Sequence, residues 1–197
     1  MPDPVRRTVF FITHPEIVVD PAVPVPQWKL SERGCERMRA ALGRPWVRRI
    51  SSIFCSSERK AIDAAAILAE GLGVGFEVRD GLGENDRSAT GYLPKAEFEA
   101  VADEFFARPG ESVRGWERAV DAQARIVGAV TSLLAAAPGD GDVAIVSHGA
   151  VGALLLCALE GLAIDRGQDQ PPGNGGNFYP FDFHTRLLRH GWTAIDA

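Results

Sequence analysis

Short unbroken apolar runs alternate along this chain with longer stretches in which apolar residues recur at helical spacing. Val9-Phe10-Phe11-Ile12 belongs to a strand over residues 8–12, and its continuous apolar character suits a strand covered on both faces. It stops at Thr13-His14-Pro15, where proline cannot extend a ladder. Residues 50–55, 76–79 and 142–146 are three further strand candidates, the last carrying Val143-Ala144-Ile145-Val146. Between them the period changes. Ser31-Glu32-Arg33-Gly34 opens a helix with Ser31 as its N-cap and Met38 and Leu42 on one face; Gly43 and Pro45 end it. An alanine-rich helix follows Ser56-Ser57-Glu58-Arg59 and runs to Leu72, with Gly71 and Gly73 as stops. Helices are predicted over 95–107 and 113–137, the second placing Trp116, Val120, Ala124, Val127 and Leu134 along one face. Residues 150–159 form a buried helix after the last of these strands.

Three stretches rich in glycine, proline or polar residues, 20–27, 81–94 and 166–177, read as loops. The aromatic tail over 178–192 has room for a strand and a hairpin partner. Strands alternating with helices predict an α/β fold: a three-layer α/β/α sandwich with a mainly parallel central sheet. No internal repeat interrupts the pattern, so residues 1–197 are expected to form one domain.

Composition narrows the function. Hydrophobic residues make up 46% of the chain and charged residues 24%, a balance that supplies a full core and excludes a disordered or disulfide-stapled chain. The net charge of −5 lacks the basic footprint of a nucleic-acid or membrane-surface binder, while leaving room for a local cationic pocket. Cys35, Cys55 and Cys157 are odd in number and show no CxxC spacing, which argues against a disulfide framework or a structural zinc site. The run Val9-Phe10-Phe11-Ile12 is shorter than a signal-peptide core, and residues 150–159 reach about half of a membrane span of about 20 residues. A cytoplasmic protein is expected, with no nucleic-acid or membrane partner and an open oligomeric state.

Candidate chemistry gathers at strand ends. His14 follows the first strand and His148 follows the strand over 142–146. Arg59 comes just after a third strand and Glu84 lies in the loop after the fourth. Ligands in α/β sheets bind beyond the carboxyl ends of strands, so two imidazoles, a guanidinium and a carboxyl converge on one edge. That set is fit for phosphoryl transfer, the guanidinium offering a planar fork to phosphate oxygens. Its composition also admits a metal site built from His14, His148 and Glu84.

The motifs resemble those of the histidine phosphatase superfamily, the phosphoglycerate-mutase-like fold. Thr13-His14-Pro15-Glu16 stands where that family has Arg-His-Gly-Glu. Leu30-Ser31-Glu32-Arg33-Gly34 resembles its Leu-Thr-x-x-Gly helix opening. The segment from Ser56 to Ala65 resembles Ser-x-x-x-Arg-Ala-x-x-Thr-Ala, with Lys60 interrupting Arg-Ala and Asp63-Ala64 where Thr-Ala is usual. Gly81-Leu82-Gly83-Glu84 resembles the Leu-x-Glu loop, Gly110-Glu111-Ser112 a segment before a long helix, and Val146-Ser147-His148-Gly149 the second-histidine motif.

The resemblance implies a metal-independent, cofactor-free hydrolase of small phosphomonoesters acting through a phosphohistidine. His14 is then the nucleophile, Glu84 the proton donor, and Arg59 and His148 the phosphate ligands. Thr13 replaces the family's first arginine and offers only a hydroxyl to phosphate. Pro15 replaces the glycine, and Asp20 stands where an asparagine is common. These departures thin the cationic side of the pocket. A charge-assisted hydrogen bond contributes about 1.5–3 kcal/mol, so weak activity, or a silent member that only binds a phosphorylated ligand, is the alternative. Glu77 and Asp86 compete with Glu84 as proton donor. Tyr92 and Phe178 are candidates to stack on a leaving group, and His184 and His190 read as surface or packing residues.

Overall fold

The structure is a computed structural model and describes residues 7–197; the run Val9-Phe10-Phe11-Ile12 lies within them, and residues 1–6 lie outside. Among the described residues a six-stranded mixed sheet carries five α-helices on its two faces. The strands are β1 (Thr8–Thr13), β2 (Ile50–Cys55), β3 (Phe76–Val78), β4 (Asp142–Ser147), β5 (Asn177–Asp182) and β6 (Thr193–Ala194), in the order β3-β2-β4-β1-β5-β6. β3, β2, β4 and β1 run parallel, and β5 and β6 close one edge antiparallel. The mainly parallel sandwich expected from the apolar runs is the one observed.

Side-chain alternation explains the layers. Phe10 and Ile12 of β1 and Ala144 and Val146 of β4 face one cluster; Val9, Phe11, Val143 and Ile145 face the other. The first face is covered by α1 (Glu32–Ala41) and α2 (Arg59–Leu72), through Met38, Ala61, Ala64, Ala65 and Leu68. The second is covered by α4 (Ala119–Ala136) and α5 (Gly149–Glu160), through Ile126, Val130, Leu134, Val151 and Leu155. α3 (Lys95–Ala107) adds a satellite cluster around Phe105, Phe106 and Trp116. α4 is long and apolar enough to cross a bilayer by length and composition; a third of it is buried within this fold.

Local signals hold in detail. Ser31 Oγ accepts from the Gly34 amide at 3.1 Å, the N-cap its position predicts. The single helix expected over 113–137 is broken. Val113–Gly115 is a short 3-10 turn in which Arg114 has φ +50° and Gly115 φ +82°, so α4 starts only at Ala119. Trp116 therefore does not extend the α4 stripe; it packs between α3 and α5. Phe178 is also reassigned. It is buried between Phe10 and Trp46 on β5, a core residue rather than a leaving-group platform.

Candidate active site

The parallel pairing of β1 with β4 brings the two histidines together. Thr13 is in register with Ser147, and the His14 amide donates to the Ser147 carbonyl at 3.1 Å. The rings of His14 and His148 meet edge to face, with centroids 5.2 Å apart. His14 Nδ1 lies 2.9 Å from the Pro15 carbonyl oxygen. A carbonyl only accepts, so Nδ1 carries the hydrogen and Nε2 keeps its lone pair. Burial, reinforced by the charge of Lys60, pushes the His14 pKa down to about 4, so the ring is neutral at pH 7.

The chain after His14 is held from several sides. The Gly176 amide donates to the His14 carbonyl at 3.0 Å. Gly175 has φ +73°, and a Cβ there would stand 2.2 Å from that same carbonyl, so only glycine passes. Gly34 serves the same purpose on the α1 side: a Cβ would lie 2.2 Å from the Glu16 carbonyl oxygen. Arg37 ties these strands of chain together through Glu16, Asp196 and the carbonyls of Gly175 and Gly176.

His148 occupies the N-cap position of α5 without a side-chain cap bond and is fully buried. Its Nε2 meets Ser56 Oγ at 2.7 Å and Glu58 Oε1 at 3.3 Å, while Nδ1 has no partner among the described residues. Burial holds its pKa well below the usual imidazole value against the pull of Glu58.

Glu84 reaches the same region from the loop after β3. Its carboxylate accepts from the amides of Val151 at 3.1 Å and Ala150 at 3.3 Å, in the first turn of α5. Burial raises its pKa despite those bonds and despite Arg87. The loop that carries it is fixed by Arg125 of α4, whose guanidinium donates to the carbonyls of Gly81, Gly83 and Glu84, and by Ser147 Oγ on the Leu82 carbonyl. The rival carboxyls are placed differently. Glu77 is exposed beside Arg79, and Asp86 is lowered by its bond to the Ser88 amide.

Arg59 does not join the site. Its side chain is 60% exposed and its Nε donates to Asp63 Oδ1 at 2.6 Å. Lys60, the next residue, points inward instead: it is 2% exposed, pairs with Glu58 and donates to the Val25 carbonyl at 3.2 Å. Counting the Ser-x-x-x-Arg-Ala pattern from Ser56 puts its arginine at position 60, with Ala61 in register, so the signal was present in the spacing. Thr13 is fully buried and turned away from phosphate duty; its hydroxyl lies 2.7 Å from Gln170 Oε1 and accepts from the Asn177 amide at 3.0 Å. Asp20 caps the Ala22 amide on the exposed loop.

A second cation comes from a residue outside the sequence-based set. Arg87 lies over the rings of Phe98 and Trp116, at 5.0 and 5.7 Å, and its charge lowers the pKa of both histidines. With Glu58, Glu84 and Asn85 it lines a cavity of about 440 Å³ whose other wall is Val25 and Pro26. Asn85 is buried there, and its Nδ2 has no partner among the described residues. Among the described residues no group of three or more His, Cys, Asp or Glu side chains is placed to hold a metal ion.

A mycobacterial glucosyl-3-phosphoglycerate phosphatase in complex with inorganic phosphate superposes with a TM-score of 0.79 and 24% identity, covering 97% of this chain and 99% of its own. The same enzyme's complex with VO3 gives a TM-score of 0.76 at 26% identity over 95% of this chain and 99% of its own. Bacillus stearothermophilus YhfR matches with a TM-score of 0.77 and 21% identity, over 94% of this chain and 95% of its own. A search of curated proteins gives no match. The model of the histidine phosphatase superfamily (branch 1) matches residues 24–177, a span that begins after His14 and includes Lys60, Glu84 and His148. The chain therefore belongs to the histidine phosphatase superfamily.

Proposed function

We propose that this protein is a metal-independent phosphatase that hydrolyses small phosphate monoesters through a phosphohistidine on His14. One observation carries the reading: a neutral imidazole at the end of β1, with Nδ1 committed to the Pro15 carbonyl and Nε2 left as the nucleophile, set against His148. Family membership and the phosphatase names of the similar structures support it.

The first step forms a bond between His14 Nε2 and phosphorus as the ester P–O bond breaks. The leaving oxygen takes the proton of Glu84, a carboxyl whose pKa burial raises. Water then attacks the phosphohistidine, Glu84 accepts its proton, and phosphate departs with His14 restored. The covalent intermediate divides one hard displacement into two easier ones. Lys60 and Arg87, the cations whose charge already lowers the pKa of both histidines, supply the positive charge for the equatorial oxygens, with His148 beside them.

Hydrolysis of 4-nitrophenyl phosphate in the presence of a strong chelator, by wild type and His14→Ala side by side, tests this directly. Turnover lost in the variant is expected. Equal turnover in both would contradict the mechanism. A second reading, binding of a phosphorylated ligand without turnover, rests on Thr13, whose hydroxyl is spent on Gln170 and Asn177. It predicts phosphate binding with no trappable phosphohistidine.

A further inference from the structure

Glu58 is the residue that the phosphoryl-transfer scheme leaves unused. It precedes α2 at the end of β2 and is largely buried among groups that an anion needs. Its carboxylate pairs with Lys60, Oε1 accepts from the Glu84 amide at 3.0 Å, and the same Oε1 stands 3.3 Å from His148 Nε2. A carboxylate only accepts, so an N–H on His148 Nε2 suits it. Lys60, the Glu84 amide and His148 are thus already engaged by one internal anion, which lines the cavity with Glu84, Asn85 and Arg87.

We propose that Glu58 is a specificity-determining residue: its carboxylate is the resident anion of the phosphoryl pocket, and it makes the pocket select phosphoryl groups with one negative charge over those with two. The inference rests on the phosphatase reading of this site. The charges facing Glu58 come from every side. Lys60 lies on its own helix, His14 at the end of β1, His148 at the start of α5, Glu84 and Arg87 in the loop after β3, and Arg125 on α4. Arg125 is paired with Glu117, and the two histidines are neutral. While Glu84 holds the proton it donates, Glu58 offsets Lys60, which leaves Arg87 as the cation of the cavity wall, next to the exposed Asp86, whose carboxylate accepts from the Ser88 amide. A phosphoryl group with a single charge matches that remainder. A dianion meets the carboxylate as a like charge in a partly desolvated space, where repulsion is strong. Two kinds of ester carry the single charge: a monoester below its second ionisation, near about pH 6 for an alkyl phosphate, and a diester at any ordinary pH.

The test compares wild type with Glu58→Gln on phenyl phosphate and diphenyl phosphate, at pH 5 and at pH 8. The ratio of kcat/KM, variant over wild type, removes the intrinsic reactivity of each ester. For the monoester this ratio is expected to reach at least about tenfold at pH 8 and to shrink towards one at pH 5. For the diester the gain is expected to be much smaller and to ignore pH. A diester rate above the monoester rate in wild type at pH 8 names the diester as the preferred source of the single charge; the reverse order at pH 5 names the protonated monoester. A ratio independent of pH and of ester, or a variant slower on the monoester at pH 8, overturns the proposal. Glu58→Ala, which removes the carboxylate with less steric conservation, is expected to follow the same pattern and covers misfolding of the first variant. If neither protein turns over, the phosphatase reading fails separately, and calorimetry with inorganic phosphate decides on charge selection. Tighter binding to Glu58→Gln at pH 8 than at pH 5, relative to wild type, supports it, and equal binding overturns it.

Discussion

Two places on the same sheet edge supply the site, and they are built by different rules. At the β1–β4 edge the ladder does the positioning. Two parallel strands in register, Thr13 against Ser147, end in His14 and His148, so the rings meet because the strands pair. At the β2–α2 junction the position of a side chain depends on helical phase. Consecutive residues of an α-helix are about 100° apart, so Arg59 and Lys60 take opposite fates: one faces solvent on Asp63, the other is buried beside Glu58. A strand-end histidine is thus readable from a short motif, whereas a helix-start cation is readable only when the phase is counted from a fixed point such as Ser56.

The largest effect expected belongs to the strand edge. His14→Ala removes the nucleophile and is expected to lower kcat by about 10³-fold or more, measured against 4-nitrophenyl phosphate. Glu84→Gln comes next. It is expected to cost about 10²–10³-fold on an alkyl phosphate, whose leaving oxygen needs a proton, and far less on the 4-nitrophenyl ester, which leaves without one. Equal losses on both esters would place Glu84 in a structural role.

The helix junction is sharpened by a paired substitution. Lys60→Met is expected to reduce kcat/KM by about 10²-fold, as loss of a group that stabilises transition-state charge does. Arg59→Ala, removing an exposed pair, should stay within about threefold. A larger effect at Arg59 than at Lys60 would reverse the assignment.

The smallest readout is thermodynamic. His14 titrates near 4 in the fold and near 6.5 when unfolded, and His148 is displaced in the same direction. Between those values the unfolded chain binds more protons, so stability falls as pH drops from about 6.5 towards 4. Glu58, held to about 2 by His148 and Lys60 against the opposing effect of burial, adds loss in the same sense at still lower pH; Glu84, raised by burial, works the other way. Urea denaturation at pH 7 and pH 5 is expected to show a smaller acid loss for His14→Gln than for wild type.

Much of the fold was legible because β1 and β4 carry unbroken apolar runs, α1 begins on the capping Ser31 and α2 ends on the left-handed Gly73. Ser31, Gly73 and the run Val143-Ala144-Ile145-Val146 all mark the boundaries or elements they predict. The break before α4 was missed because Trp116 and Val120 keep a helical spacing, while the two left-handed residues, Arg114 and Gly115, are a backbone fact with a faint signature. His14, His148 and Glu84 were legible as a set because each follows a strand. Arg87, Arg125 and Arg37 were not. Their roles depend on carbonyls and rings brought in from distant segments: the Gly81–Glu84 turn, Phe98 and Trp116, and the Gly175–Gly176 strap. Glu58 was visible only as part of a motif, since the donors it occupies belong to three separate elements.

The central claim is that His14 carries the phosphoryl group. The most direct measurement is rapid acid-free quenching of wild type during turnover of a 4-nitrophenyl phosphate, followed by tandem mass spectrometry under alkaline conditions. The account predicts an acid-labile, base-stable phosphoryl adduct on the peptide containing His14, absent from His14→Ala. Steady turnover by wild type with no adduct on His14, or an adduct that persists in the variant, would contradict it.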